Sequence, residues 1–220
     1  MSLTEKWLEV FNDAVLDVEQ KTGIPSLEWK TAGRKTALRP DGEDLPFWQS
    51  EGLKQVEAYQ KWYDSSGWKI ATMPDGRPGI EWSADVLFGG TPVRFIVDAI
   101  YQVGEDLVIV DYKTGSRTPF GAIQAGLYAS GIEKATGKRP KWGAFFMTRQ
   151  GTLDDLIDLS HLTIEYFDYV FGAMNHSVLN GWFPPSVGDS CRMCSFVDKC
   201  PAMGSTDFPL QIQGKEKGEK

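Results

Sequence analysis

The run Leu107-Val-Ile-Val110 constrains this chain most. Four apolar residues in a row, without alternation, fit a central strand covered on both faces. Asp111 and Lys113 follow directly. Side chains alternate along a strand, so these two charges share one face at its end.

The pattern around this run lays out the other elements. Gly104-Glu-Asp106 predicts a hairpin back to a strand over 93–99. Gly89-Gly90 predicts another, from a strand over 79–88, and 68–72 is a further strand beyond the turn Pro74-Asp-Gly-Arg-Pro78. Ser2-Leu-Thr-Glu5 reads as a capping box. Leu3, Trp7, Phe11, Val15 and Val18 then keep helical spacing up to Gly23. Residues 23–46 read as irregular, and a second helix is expected over 48–63. Thr118 and Pro119 read as the cap and first position of a helix to about residue 134. A strand over 142–148 and a helix over 161–180 complete the core. The order is α, α, β-meander, α, β, α, an α/β class with a central mixed sheet flanked by helices. The expected divisions are a lead-in at 1–46, a core at 47–182, a cysteine-bearing segment at 183–204 and a disordered tail at 205–220.

Composition narrows the setting. At 220 residues, 41% hydrophobic and 24% charged, this is a folded chain sized for one domain. No run approaches ~18 apolar residues, so no membrane span is expected. The start lacks a basic region before an apolar one, so no secretory signal is expected. All three cysteines fall between Cys191 and Cys200. An odd number crowded together is not a disulfide framework; it points to a reducing, cytoplasmic setting and a metal or cluster site.

Where the two strands pair through Gly104, Asp98 lies near Asp111. Two converging carboxylates repel unless a cation sits between them. Their hard oxygens suit Mg²⁺ or Mn²⁺. A lysine beside that cation can orient or deprotonate a water, or neutralise charge developing on a phosphate. Gln124 and Tyr128, spaced i and i+4, share one helix face and can reach the same place.

The net charge of −7 speaks against nucleic acid as a partner, since phosphates call for Lys and Arg. By segment the picture changes. Residues 110–150 carry seven Lys and Arg against Asp111 and Glu133, a local +5 that leaves −12 for the rest. DNA is therefore expected at a local, cation-filled cleft rather than along a broad basic face.

Together, Val97-Asp98, Asp111-Tyr-Lys-Thr-Gly115 and Gln124-x3-Tyr128 resemble the RecB-like branch of the PD-(D/E)xK nucleases. The resemblance spans roughly residues 48–201 and implies a sheet wrapped by helices in αβββαβ order. It implies that Asp98 and Asp111 hold the metal, with the Tyr112 carbonyl joining them. Lys113 would act on the attacking water, and Gln124 and Tyr128 would position substrate or the lysine. Many members add a His or Glu from the preceding helix; no His is present there, and Glu57 is the best placed acid, with Glu51 next. Glu81, at a strand start, is a further option.

Cys191-x2-Cys194-x5-Cys200, followed by Pro201, looks like the C-terminal part of the iron–sulfur (4Fe–4S) staple of AddB-type subunits and the CRISPR-adaptation nuclease. Those proteins add an upstream cysteine that this chain lacks. Zinc, with His161 or His176 as fourth ligand, is the alternative. The implied activity is a metal-dependent DNA exonuclease of recombination or repair, stand-alone and phage or bacterial. No GxxxxGK[ST] loop is present, so a helicase or recombinase partner would be a separate protein. Two other readings stand beside it: an inactive nucleic-acid-binding module on the same fold, and a zinc-stapled protein adaptor. The intact Asp98, Asp111 and Lys113 argue against the first.

Overall fold

The structure, a computed structural model, describes residues 2–31, 35–37, 40–115, 121–182 and 184–204. Its helices are α1 (Leu3–Thr22), α2 (Leu45–Ser66), α3 (Ile123–Thr136) and α4 (Ile164–Leu179). Its strands are β1 (Lys69–Ile70), β2 (Ile80–Phe88), β3 (Thr91–Val103), β4 (Asp106–Lys113), β5 (Trp142–Met147), β6 (Thr152–Leu153) and β7 (Ile157–Asp158). They form one mixed sheet in the order β1-β3-β4-β5-β6, with β2 on β3 and β7 on β5.

The chain divides into two compact units, Met1–Ala84 with Phe95–Leu162 and Asp85–Arg94 with Thr163–Lys220. In the first, β3 and β4 pair antiparallel, from Val103 opposite Asp106 to Ala99 opposite Val110. Strands β4 and β5 run parallel, from Val108 beside Trp142 to Lys113 beside Met147. A parallel pair needs a crossover, and α3 supplies it. As the apolar run predicted, β4 is central: Val108, Ile109 and Val110 are all buried.

The two faces of β4 carry different helices. Gly143 lies beside Ile109, and a Cβ there would come within 3.0 Å of the Ala125 Cβ. Helix α3 therefore covers the face of Ile109, Asp111 and Lys113. Helix α2 covers the other. Its Tyr59 hydroxyl lies 2.8 Å from that of Tyr101, which lies 2.7 Å from that of Tyr112. Tyr59, Trp62 and Tyr63 pack there on Ala99, Tyr101, Val108, Val110 and Phe146. Against α2 lies α1, with the Trp7 indole donating to the Gln49 carbonyl at 2.8 Å. Gly52 makes that crossing possible, since a Cβ there would strike the Trp7 ring.

Local signals set most boundaries. Ser2 and Glu5 form the expected capping box. Helix α2 starts earlier than its apolar periodicity suggested. Asp44 caps it by accepting from the Phe47 N–H at 2.9 Å, and Pro46 sits in the first turn, where a missing donor costs nothing. Helix α4 starts after the Thr163 cap, which leaves His161 in the preceding turn rather than at the helix start. Strand β3 extends well past the expected 93–99, so Asp98 sits within a strand rather than at its end. Thr118 and Pro119 lie outside the described residues, as does 205–220.

In the second unit, the β2–β3 hairpin tip packs on α4. Phe88 lies 5.7 Å from Phe171 and 5.9 Å from Phe167, and Asp168 accepts from the Gly89 N–H at 3.0 Å. Three short 3-10 turns follow, Asp189–Met193, Val197–Lys199 and Pro201–Met203.

Candidate active site

The ladder between β3 and β4 ends at Ala99 and Val110. Just beyond it, Asp98 Oδ2 accepts from the Tyr112 N–H at 2.9 Å. A side chain thus takes the role of a ladder carbonyl. This ties Asp98 to the backbone between Asp111 and Lys113. The anchor places the two aspartates together, as the hairpin argument expected.

Asp111 is 4% exposed, deep for a carboxylate. The Lys113 ammonium lies 2.5 Å from its Oδ2 as an ion pair. No other described donor reaches that buried oxygen. Burial pushes the Asp111 carboxyl above its ordinary range, the Asp98 charge pushes it further, and Lys113 opposes both. A buried carboxylate whose Oδ2 meets only Lys113 among the described residues, beside a second carboxylate, fits a hard divalent cation. Asp98 and Asp111 would hold it, with the Tyr112 carbonyl as the further oxygen the family resemblance implies.

Lys113 keeps about a quarter of its side chain exposed, and its ammonium lies 5.7 Å from the centre of the Phe145 ring. Its carbonyl accepts from the Thr148 N–H at 3.0 Å. The next carbonyl, Thr114, accepts from Arg149 Nε at 2.7 Å. Arg149 is held in turn by Glu43, at 3.3 and 3.2 Å, and by the Trp48 ring, 5.0 Å away. Nothing in local sequence announces this brace, because it joins residues more than a hundred positions apart.

Gln124 and Tyr128 stand on the Asp111 side of the sheet, in the first turns of α3. Gln124 Nε2 donates to the Tyr128 hydroxyl at 2.9 Å, so the pair acts as one unit. Tyr128 also packs on Phe95.

Glu57 is exposed on the outer side of α2, in a surface hollow with Leu3, Gln60, Lys61 and Asp64. Helix α2 covers the Tyr112 face, so the sheet separates it from Asp111. The structure does not bring Glu57 to the two aspartates. Glu51 faces Lys54 in a 3.5 Å ion pair, and Glu81 is exposed with φ of 47°. Among the described residues no three His, Cys, Asp or Glu side chains form a group that could hold a metal.

The same holds for the cysteines. Cys191, Cys194 and Cys200 are free thiols, Cys191 within the first 3-10 turn and the other two at turn ends, each partly or fully exposed. Cys191 Sγ accepts from the Gly188 N–H at 3.4 Å. His176 is occupied elsewhere, with Asn180 and edge-on to Trp182. This arrangement does not support the expected iron–sulfur cluster, nor a closed zinc site.

The local +5 is partly taken up within the fold. Arg139 bonds Glu133 at 2.6 Å and the carbonyls of Leu159 and Leu162. Arg149 braces Thr114, Lys113 faces Asp111, and Arg117 lies outside the described residues. Lys113, Arg139 and Arg149 thus hold the fold, while Lys134, Lys138 and Lys141 are exposed.

With this geometry in hand, comparison with known proteins is informative. The Gene 69 protein of Mycobacterium phage D29 is 31% identical over 184 residues, covering 80% of this chain and 66% of that one. The Gene 69 protein of Mycobacterium phage L5 is 27% identical over 175 residues, covering 68% and 60%. The chain therefore spans less than two thirds of the length of these relatives. The solved structure of SSO0001 aligns with a TM-score of 0.39 and 12% identity over 72% of each chain, a distant likeness. No helix among the described residues is long and apolar enough to cross a membrane. The profile of the PD-(D/E)XK nuclease superfamily matches residues 26–201, which contain the two aspartates, the lysine and the sheet that carries them. The chain belongs to that superfamily.

Proposed function

We propose that the chain is a metal-dependent DNA nuclease of the RecB-like branch, cutting as an exonuclease in recombination or repair. The observation that carries this reading is the Asp111 carboxylate, buried, paired with Lys113 and set beside Asp98. A divalent Mg²⁺ or Mn²⁺ ion bound there supplies a Lewis acid for the scissile phosphate. Asp98 and Asp111 hold that charge in place. Lys113 lies close enough to neutralise negative charge that grows on the phosphate and to orient the attacking water. Gln124 and Tyr128, locked to each other, offer an amide and a hydroxyl to substrate from the same side of the sheet.

The catalytic core is assigned to 47–182. The role of 183–204 as an iron–sulfur or zinc staple rests on the cysteine spacing alone, and anaerobic purification tests it. A brown protein with bound iron, or a colourless one with one zinc, would decide between the two. A metal-free segment would remove both. A cytoplasmic setting and a separate helicase or recombinase partner belong to the same proposal.

Labelled linear and closed-circular DNA, incubated with Mg²⁺ or Mn²⁺, tests the activity. Linear DNA should be degraded and closed circles spared. Absence of cleavage, or equal cleavage by Asp111→Ala and Lys113→Ala, would overturn the nuclease reading. Cutting of circles would replace exonuclease by endonuclease.

A further inference from the structure

A second feature lies on the other face of β4. A hollow of about 500 Å³ opens between α1, α2 and the end of β4, walled by Trp7, Trp48, Tyr59, Tyr112 and Thr114. That volume is in the range of small-ligand pockets. Its lining is mostly apolar and includes four aromatic rings, with one anomaly. Gln55 is 7% exposed, and its Nε2 has no hydrogen-bond partner. The Thr148 hydroxyl meets one end of this amide at 2.6 Å and also faces the Lys113 carbonyl at 3.1 Å, so either amide atom can pair with Thr148 while the other end stays unmatched. Leaving a buried polar atom unmatched is costly. A protein retains such a group at little benefit unless a ligand acceptor completes it.

We propose that this hollow binds one unpaired nucleobase of the substrate strand. Aromatic walls stack on any base, and the Gln55 amide suits a base carbonyl or ring nitrogen. The position fits as well. Tyr112 and Thr114 alternate along β4 with Asp111 and Lys113. A strand whose phosphate lies at the two aspartates can drape over the end of β4 and place a neighbouring base on the opposite face. A paired base cannot enter, because its partner strand would meet α1 and α2. The site therefore selects single-stranded or frayed DNA. This inference rests on the nuclease reading for the phosphate but not for the base.

The experiment uses Gln55→Leu, which removes the amide at similar volume, and Val56→Trp, which fills the hollow from its α2 wall. A small diester without a base, bis(p-nitrophenyl) phosphate with Mn²⁺, serves as the internal standard. The ratio of single-strand cleavage to diester hydrolysis should fall about tenfold in each variant, a loss of stacking and hydrogen bonding of ordinary size. Binding of a labelled single-stranded 12-mer in EDTA should weaken in parallel, and a blunt duplex should bind more weakly than the 12-mer to the unaltered protein. Equal ratios and equal binding across all three proteins would overturn the proposal. If the unaltered protein hydrolyses neither DNA nor diester, the nuclease reading fails, and the EDTA binding series still decides the base pocket. Thermal melts of both variants show that each is folded, and Gln55→Leu should melt no lower than the unaltered chain.

Discussion

The two faces of β4 differ by one residue in register and by almost everything in chemistry. On one face Tyr59, Tyr101 and Tyr112 join hydroxyls within a shell of aromatic rings. Burial drives the Tyr101 and Tyr112 hydroxyls upward in pKa, so they stay neutral and serve as matched donors and acceptors. On the other face the buried Asp111 has, among the described residues, only the Lys113 ammonium at its Oδ2, with the Asp98 charge nearby. The three hydroxyls of the first face satisfy one another within the protein. The second face carries two neighbouring carboxylates that Lys113 offsets only in part. A satisfied buried network stiffens a fold, while an unsatisfied one marks where a cation or substrate belongs.

Breaking the catalytic face should have the largest effect. Asp111→Ala should lower DNA hydrolysis by about a thousandfold or more, read as single-turnover rate with saturating Mn²⁺. Lys113→Ala should lower it by about 10²–10³-fold, a typical loss for one electrostatic contact to a developing charge. Lys113→Arg should restore little, because a flat, forked guanidinium does not replace a compact ammonium. Either variant at full rate would mean that the β4 acid and lysine do not perform the chemistry.

The opposite face should answer in stability rather than in rate. Tyr101→Phe strips the hydroxyl that bridges Tyr59 and Tyr112, leaving them only the long 3.5 Å contact from the Tyr112 hydroxyl to that of Tyr59. A destabilisation of about 1–3 kcal/mol is expected in urea unfolding. Single-turnover cleavage should change much less than in Lys113→Ala. A large rate loss without loss of stability would show that the tyrosines reach the chemistry after all.

The smallest effect sharpens the contrast, because its sign is unusual. Asp111 titrates higher folded than unfolded, so the folded state binds more protons as pH rises through the carboxylate range. Its contribution therefore falls from the ordinary carboxylate pKa up to the raised folded value and stays unfavourable above it. In EDTA at neutral pH, Asp111→Asn should melt about 2–4 °C higher than the unaltered chain, equivalent to ~1 kcal/mol at this size. The gap should close below the carboxylate range. Added Mg²⁺ should raise the melting temperature of the unaltered chain and leave that of Asp111→Asn nearly still. A lower melting temperature for Asp111→Asn in EDTA would show that the Lys113 contact outweighs burial.

Much of this protein was legible residue by residue. The Leu107–Val110 run, the Gly104 hairpin and the Ser2–Glu5 box are local signals, and each became the expected element. The pairing of Asp98 with the Asp111 strand followed from the hairpin, since antiparallel neighbours are set by the turn between them. Glu57 was not legible in the same way. Its spacing on a helix says which side chains share a face, but not which face of the sheet that helix will cover. The charge count over 110–150 could not show for a related reason that Arg139 and Arg149 are taken up by carbonyls and carboxylates distant in the chain.

By itself, then, the sequence determined the mixed α/β core, the order of its elements and the shared face of Asp111 and Lys113, because these depend on short-range periodicity and turn chemistry. Only the tertiary structure decided that α2 takes the Tyr112 side, that Arg149 braces Thr114, and that Gln55 is buried with an unmatched amide. Those outcomes depend on which surfaces exclude water together, and burial is a property of the packed whole rather than of any segment.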